Sequence, residues 1–273
     1  MGDIFEESLF HKQPKQFDKV NALAKAFAAN YCGNIIIRDA IFGIIMNYAR
    51  KRELSLEILR YPFHDEELWA FTFVKKRTLF LCVNSELAMC KQFFAAAHEL
   101  YHIHCYAEDI DPDTITGGSL LDSKTVDDMA ASQEDLEANA FAGLLLMPDN
   151  ILNEQIRLYG ITCGRLSTDD VLTLMELFAL PFKAVVLRLA ENHNISAAKA
   201  RDLLKTDASF VQERIKRTGK ALGWQQNSKE LFYFGSLLDD MESNRDNELL
   251  TDSREKSDME YLEKIKKSFF NKG

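Results

Sequence analysis

Two histidines four positions apart, with a glutamate directly after the first, form the clearest chemical signal in this sequence. They are His98, Glu99 and His102. On a helix, residues four apart point the same way, so both imidazoles can bind one metal ion. Zinc suits imidazole nitrogen and lowers the pKa of a water that it binds toward ~7. Glu99 could take that proton and later give it to a leaving amine. The motif therefore predicts zinc-dependent peptide hydrolysis.

A third zinc ligand is expected on a second helix, predicted over residues 132–147. Glu134 and Glu137 lie three apart and share a helix face with Phe141. A carboxylate facing the core there is costly unless it is paired or ligated. Glu137 lies deeper in the apolar stretch and is favoured over Glu134, although both could instead stabilise the helix N-terminus. The fourth zinc position is left for water.

Cys105 follows the motif on the same predicted helix face, three residues after His102. A thiolate there could occupy the open zinc position as an inhibitory ligand. The alternative, a small buried residue one turn beyond the site, is favoured. The five cysteines are scattered without a C-x-x-C pair, so neither a disulfide framework nor a thiolate zinc finger is expected.

Helices and strands must position these groups, and hydrophobic periodicity predicts them. Strands are expected at residues 54–59, 68–74 and 78–83, with a hairpin turn at 75–77, and helices at 19–30, 39–50, 86–106, 210–222, 231–241 and 260–270. The strand at 78–83 could run beside the cleft and pair with an extended substrate. Residues 108–131 are rich in Asp and include Pro112, Gly117 and Gly118, which together predict a loop. Residues 167–204 predict a compact helical unit, and 242–257 an exposed linker.

Composition narrows the classes of protein. The chain has 273 residues, 47% of them hydrophobic and 27% charged, which is typical of a soluble globular protein. It has no apolar run of membrane-spanning length, and residues 1–19 lack the features of a signal peptide, so we expect a cytoplasmic protein without membrane contact. A net charge of −9 disfavours binding to nucleic acid. The basic stretch 214–220 is better explained as a solvated helix face than as a nucleic-acid contact.

Two motifs together carry a family resemblance. They are Phe94-x-x-Ala97-His98-Glu99-Leu100-x-His102 and Glu137-Ala138-Asn139-x-Phe141-Ala142-x-x-Leu145-Leu146-Met147-Pro148. This pair resembles the ImmA/IrrE-type metallopeptidases over roughly residues 22–204. Neither motif alone would be specific.

The resemblance implies an α+β fold with a zincin-like domain, which contains a small sheet and an active-site helix, followed by a helical domain. We place the metallopeptidase domain at 1–155, a helix-turn-helix-like unit at 156–206 and a helical tail at 207–273. The resemblance also implies one Zn²⁺ held by His98, His102 and Glu137, with Glu99 catalytic. Members of the family typically cleave a helix-turn-helix repressor, which releases stress, mobile-element or phage-defence genes.

The role of the helical unit allows two interpretations. Its second helix carries only Lys183 and Arg188 as bases, so packing or repressor docking is favoured over DNA reading. DNA could still act as an activating signal. The alternative functions are a non-cleaving antirepressor and a DNA-binding regulator, each with a structural metal.

Overall fold

A computed structural model describes residues 4–33, 35–108, 119–122, 132–218 and 232–270, with side chains at all of these except 108, 119–122 and 270. Its α-helices are α1 Ile4–Glu7, α2 Leu9–Lys12, α3 Pro14–Phe27, α4 Ile41–Lys51, α5 Met89–Glu108, α6 Gln133–Leu146, α7 Asp149–Leu158, α8 Thr168–Phe178, α9 Phe182–Glu191, α10 Ala197–Leu204, α11 Ala208–Thr218, α12 Leu237–Asp246 and α13 Asp252–Phe270. In the ranges described, no helix is long and apolar enough to cross a membrane. The fold is α+β, as expected.

A small mixed sheet lies beside the active-site helix. Its strands are β1 Leu56–Tyr61, β2 Leu68–Lys75, β3 Thr78–Asn84, β4 Ser119–Asp122 and β5 Tyr233–Phe234, in the order β4-β2-β3-β1-β5. β3 runs parallel to β1 and antiparallel to β2, while β4 pairs antiparallel with β2 and β5 antiparallel with β1.

The sheet order corrects the prediction about the substrate-facing strand. β3 has a neighbour on both sides, so its main chain has no open edge for a substrate. β4 lies at the edge instead, in the segment predicted as a loop. The acidic composition of the segment does not indicate a strand, because pairing with β2 and not local propensity forms β4. The rest of the predicted loop lies outside the described residues.

The predicted hairpin between β2 and β3 is confirmed. Lys76 and Arg77 form its turn, with φ angles of 51° and 65°. A two-residue turn with both central residues in the left-handed region matches the twist of the flanking strands. The turn therefore sets the register of β2 against β3, and β3 leads into α5.

Helices α5 and α6 pack against each other and form the centre of the core. Ala95, Ala96 and Ala97 on α5 are fully buried, and such small side chains let the helix lie close to its neighbours. Leu100 on α5 and Phe141 on α6 are also fully buried. This contact places the first turn of α6 beside the histidines of α5.

The C-terminal segment differs from the prediction. Residues 242–257 were expected to form a linker, but α12 and α13 cover most of this range. Leu262 on α13 is 6% exposed, and the ring of Phe269 lies 5.3 Å from that of Tyr61 on β1. Residues 233–234, predicted as helix, form β5 on the open side of β1. Tertiary packing overrides the polar composition of this tail.

One buried arginine joins the helical unit to the end of α6. Arg188 on α9 donates from Nε and Nη2 to the carbonyl oxygen of Met147 at 3.2 and 3.1 Å. It also donates to Asp149 at 2.6 Å and to Glu191 at 2.7 Å. Gly143 permits this approach, because a Cβ there would stand 3.0 Å from Cδ of Arg188. The guanidinium considered for DNA contact is thus engaged inside the protein.

We expect Arg188→Met to lower the free energy of unfolding by about 3–5 kcal/mol, because the largely buried Glu191 loses its cation and Asp149 keeps only its ion pair with Lys25. Burial, the largest single influence, opposes ionisation of Asp149, but the charges and hydrogen bonds of Arg188 and Lys25 together lower the pKa of Asp149. Burial dominates at Glu191 and raises its pKa. Urea denaturation measures the loss. Arg214→Met is the matched control, because its ion pair with Asp169 is largely exposed. An equal loss in both variants would contradict this role.

Candidate metal centre

Three ligand atoms converge where α5 meets the first turn of α6. Nε2 of His98 lies 3.1 Å from Nε2 of His102. Oδ1 of Asp135 lies 3.9 Å from the first of these nitrogens and 3.6 Å from the second. Neighbouring donors of a tetrahedral zinc shell with bonds of 2.0–2.1 Å stand about 3.3 Å apart. Among the residues that the structure describes, these three form the group that could hold a metal ion.

The other ring nitrogen of each histidine is held by a residue of α6. Nδ1 of His98 lies 2.9 Å from Oδ1 of Asn139, and Nδ1 of His102 lies 2.7 Å from Oε1 of Glu134. Because both partners are oxygen acceptors, each Nδ1 carries the proton and each Nε2 keeps its lone pair for a metal. Glu134, the weaker candidate for third ligand, therefore orients a ligand and does not itself face both Nε2 atoms.

Asp135 is fixed by the cap of α6. Its Oδ2 accepts from the main-chain N of Ser132 at 3.0 Å and from the Ser132 hydroxyl at 2.7 Å. The main-chain N of Asp135 donates back to the Ser132 hydroxyl at 3.1 Å. This capping box uses one carboxylate oxygen and leaves Oδ1 directed at the histidines. The same side chain thus starts the helix and completes the donor set.

Glu137, the expected third ligand, does not lie with the histidines. Its carboxylate accepts from the Tyr101 hydroxyl at 2.5 Å, from Gln16 at 2.9 Å and from Gln133 at 2.6 Å. Glu137 lies two positions after Asp135, about 200° further around the helix, and faces α3 and Tyr101 instead. Burial of this carboxylate is costly, and hydrogen bonds from three side chains offset that cost.

Cys105 is also outside the described group of ligand atoms. It is half-buried, and its thiol lies beside the Tyr101 hydroxyl, one helical turn earlier. Burial first, and then the hydrogen bond to Glu137, raise the pKa of Tyr101. Cys105 shares a face of α5 with the two histidines, but it lies on the part of that face directed toward Glu137. A shared face was therefore not enough to predict a zinc ligand.

Glu99 is fully buried between β3 and the last turns of α5. Burial raises the pKa of Cys82 on β3 to about 12, and the charge of Glu99 adds to this effect. The pKa of Tyr106 is likewise raised to about 12, by burial first and then by the charges of Glu134 and Glu99. The ring of Tyr106 lies 6.4 Å from that of His102. Negative charge is thus concentrated here, as a cation site requires.

A family model confirms the resemblance. The model for the IrrE N-terminal-like domain, a peptidase family, matches residues 51–190, just over half of the chain. The chain belongs to this family. No curated protein matches it. Membership identifies the chain as a metallopeptidase of zincin-like fold with a following helical region.

The donor set of this metallopeptidase fits zinc. Two neutral imidazoles and one carboxylate are ligands that zinc accepts, and three protein ligands with a further open position are typical of catalytic sites. The sequence motifs predicted His98 and His102 as ligands but not Asp135. Two features of the sequence could have indicated Asp135. Ser132-x-x-Asp135 has the spacing of a capping box, and Asp135 and Asn139 lie four residues apart, which places their side chains on one face of the helix.

The metallopeptidase without metal should lose stability in mild acid. Burial first, and then the proximity of His102, hold the pKa of His98 well below its usual value, and the bond to Asn139 only partly opposes this. Below pH ~6.5, His98 gains a proton in the unfolded chain but not in the folded one, so stability falls with pH. The extra slope is at most about 1.4 kcal/mol per pH unit. Urea midpoints of the metal-free protein should show this slope, and His98→Gln should reduce it. An unchanged slope in that variant would contradict the assignment.

Proposed function

We propose that the chain is a zinc-dependent endopeptidase that cleaves a helix-turn-helix transcriptional repressor and so derepresses stress, mobile-element or phage-defence genes. The proposal rests mainly on the convergence of His98, His102 and Asp135 beside the buried carboxylate of Glu99. A zinc ion held there would polarise the scissile carbonyl and acidify water. Glu99 would take the proton of the attacking water and deliver it to the leaving amine.

The edge strand supports cleavage within a polypeptide. β4 packs against α5 and pairs with β2 on one side only, so its other edge is unpaired among the described strands. An extended segment can pair with such an edge through its main chain, in any sequence context and away from its own ends. This mode of binding favours an endopeptidase over an enzyme that recognises a chain terminus.

Charge supports a basic partner. The chain carries a net charge of −9, and the basic stretch at 214–220 is partly neutralised, since Arg214 pairs with Asp169 and Arg217 with Glu213. DNA-binding proteins present positive surfaces, so electrostatic attraction would favour their encounter with this enzyme. Direct DNA binding by the chain itself is disfavoured by the same balance and by the burial of Arg188.

Co-expression with the product of a neighbouring repressor gene tests this function. Wild-type protein should generate two repressor fragments, located by intact-mass spectrometry, and should relieve repression of a reporter. Glu99→Gln should abolish both effects while the protein still folds and binds zinc. Relief of repression by Glu99→Gln without fragments would overturn the proposal in favour of a non-cleaving antirepressor.

A further inference from the structure

A cavity of about 350 Å³ lies where the peptidase core meets the helical unit. Its walls come from α5, α6, α8, α9, α11, the N-terminal helices and β2. Most of its surface is apolar, and the lining side chains include Phe94, Leu136, Met175, Phe182 and Val211. Sites for small molecules usually have volumes of roughly 300–1,000 Å³ and are lined mainly by apolar groups with a few polar ones. This cavity has the size and character of such a site.

Trp69 contributes a buried donor to this cavity. It is 5% exposed, and its Nε1 makes no hydrogen bond to any residue that the structure describes. A bulge in the pairing of β2 with β4 falls between Leu68 and Ala70, so Trp69 departs from the alternation of the strand. Bulges redirect side chains, and this one brings Trp69 to the α5 side, where Lys91 packs over its ring at 4.7 Å. A buried indole N–H normally has an acceptor, so its lack points to a ligand.

The charges around the cavity favour an anionic ligand. Its two acids already have cationic partners, since Glu191 pairs with Arg188 at 2.7 Å and Glu7 pairs with Lys12. Lys91 forms no ion pair with any residue that the structure describes. The ammonium of Lys91 and the N–H of Trp69 therefore offer a positive charge and a donor side by side, which together suit a carboxylate.

From these contacts we infer that the cavity binds a small amphipathic carboxylate. Its carboxylate accepts from Trp69 Nε1 and pairs with Lys91, and its apolar body fills the space between α6 and α9. Asn139, which holds Nδ1 of His98, also lines the cavity. Asn139 would thus stand between the ligand and His98 of the metal centre.

Tryptophan fluorescence of the full-length protein tests this site with decanoate as the probe. The chain has two tryptophans, Trp69 and Trp224, so Trp224→Phe leaves Trp69 as the sole reporter. Decanoate should produce a saturable change in its emission. Lys91→Met, of similar length without charge, should weaken decanoate binding about tenfold. It should leave the affinity for the uncharged decan-1-ol unchanged.

A cavity-filling variant provides the second arm. Ala184 lines the cavity from α9, and Ala184→Phe should remove the saturable response while circular dichroism and the melting temperature show a folded protein. A decanoate response that never saturates, equal saturation in Ala184→Phe, or a Lys91→Met variant with wild-type affinity would each overturn the site. None of these readouts depends on peptidase activity.

Discussion

Glu99→Gln is expected to leave zinc at one ion per chain and to reduce repressor cleavage by about 10²–10⁴-fold. The carboxylate is fully buried beside the donor group, so an isosteric amide preserves packing but cannot accept the proton of the attacking water. Removing the proton acceptor affects the transition state more than substrate binding. Single-turnover cleavage of purified repressor, with zinc measured on the same samples, separates these effects.

Glu154→Gln is the matched control for this experiment. It makes the same chemical change at an exposed position on α7, outside the metal centre. It should retain wild-type cleavage. If Glu99→Gln cleaved as fast as Glu154→Gln, Glu99 could not be the general base, whatever the zinc content of the two proteins.

Asp135→Ala is expected to raise the zinc dissociation constant more than about 100-fold. Loss of a residue that only orients a ligand already lowers metal affinity about 10–100-fold, and Asp135 is a ligand itself. Glu137→Gln should keep the affinity within about tenfold of wild type, since Glu137 accepts hydrogen bonds from Tyr101, Gln16 and Gln133 and does not face the histidines. Competition with a chromophoric chelator measures both constants.

The loss of a helix cap must be separated from the loss of a ligand. Asp135 closes a capping box with Ser132, and Asp170 closes the same box with Ser167 on α8. Asp170→Ala should therefore lose a cap worth roughly 1 kcal/mol without changing the zinc affinity. Tight zinc binding by Asp135→Ala combined with weak binding by Glu137→Gln would reverse the assignment of the third ligand.

Local patterns were enough to predict the active-site helix and its two histidines. Their spacing on α5 follows from helix geometry alone, and the strands β1 to β3 follow from alternation and a charged turn. The third ligand depends on how α6 is rotated against α5, which no spacing within α6 determines. The cost of burying Glu137 suggested that this residue faces the metal. In the structure, Tyr101 and Gln16, which lie on other helices, donate hydrogen bonds to its carboxylate instead.

The edge strand and the tail were missed for a related reason. β4 and β5 are four and two residues long, and each is a strand only because a neighbour supplies its hydrogen bonds. Arg188 illustrates the same limit in the helical unit. A lone arginine on a helix suggests an exposed base, but the carbonyl of Met147 and two acids bind it inside the protein. Long-range partners of this kind leave no local pattern.

An anomalous difference map, recorded at the zinc edge from crystals of zinc-loaded protein, tests the central claim most directly. One peak should lie within bonding distance, about 2.0–2.2 Å, of Nε2 of His98, Nε2 of His102 and Oδ1 of Asp135. Glu99 should lie beside the peak without binding it. A peak bound by Glu137 in place of Asp135, or no peak between the two histidines, would contradict this metal centre.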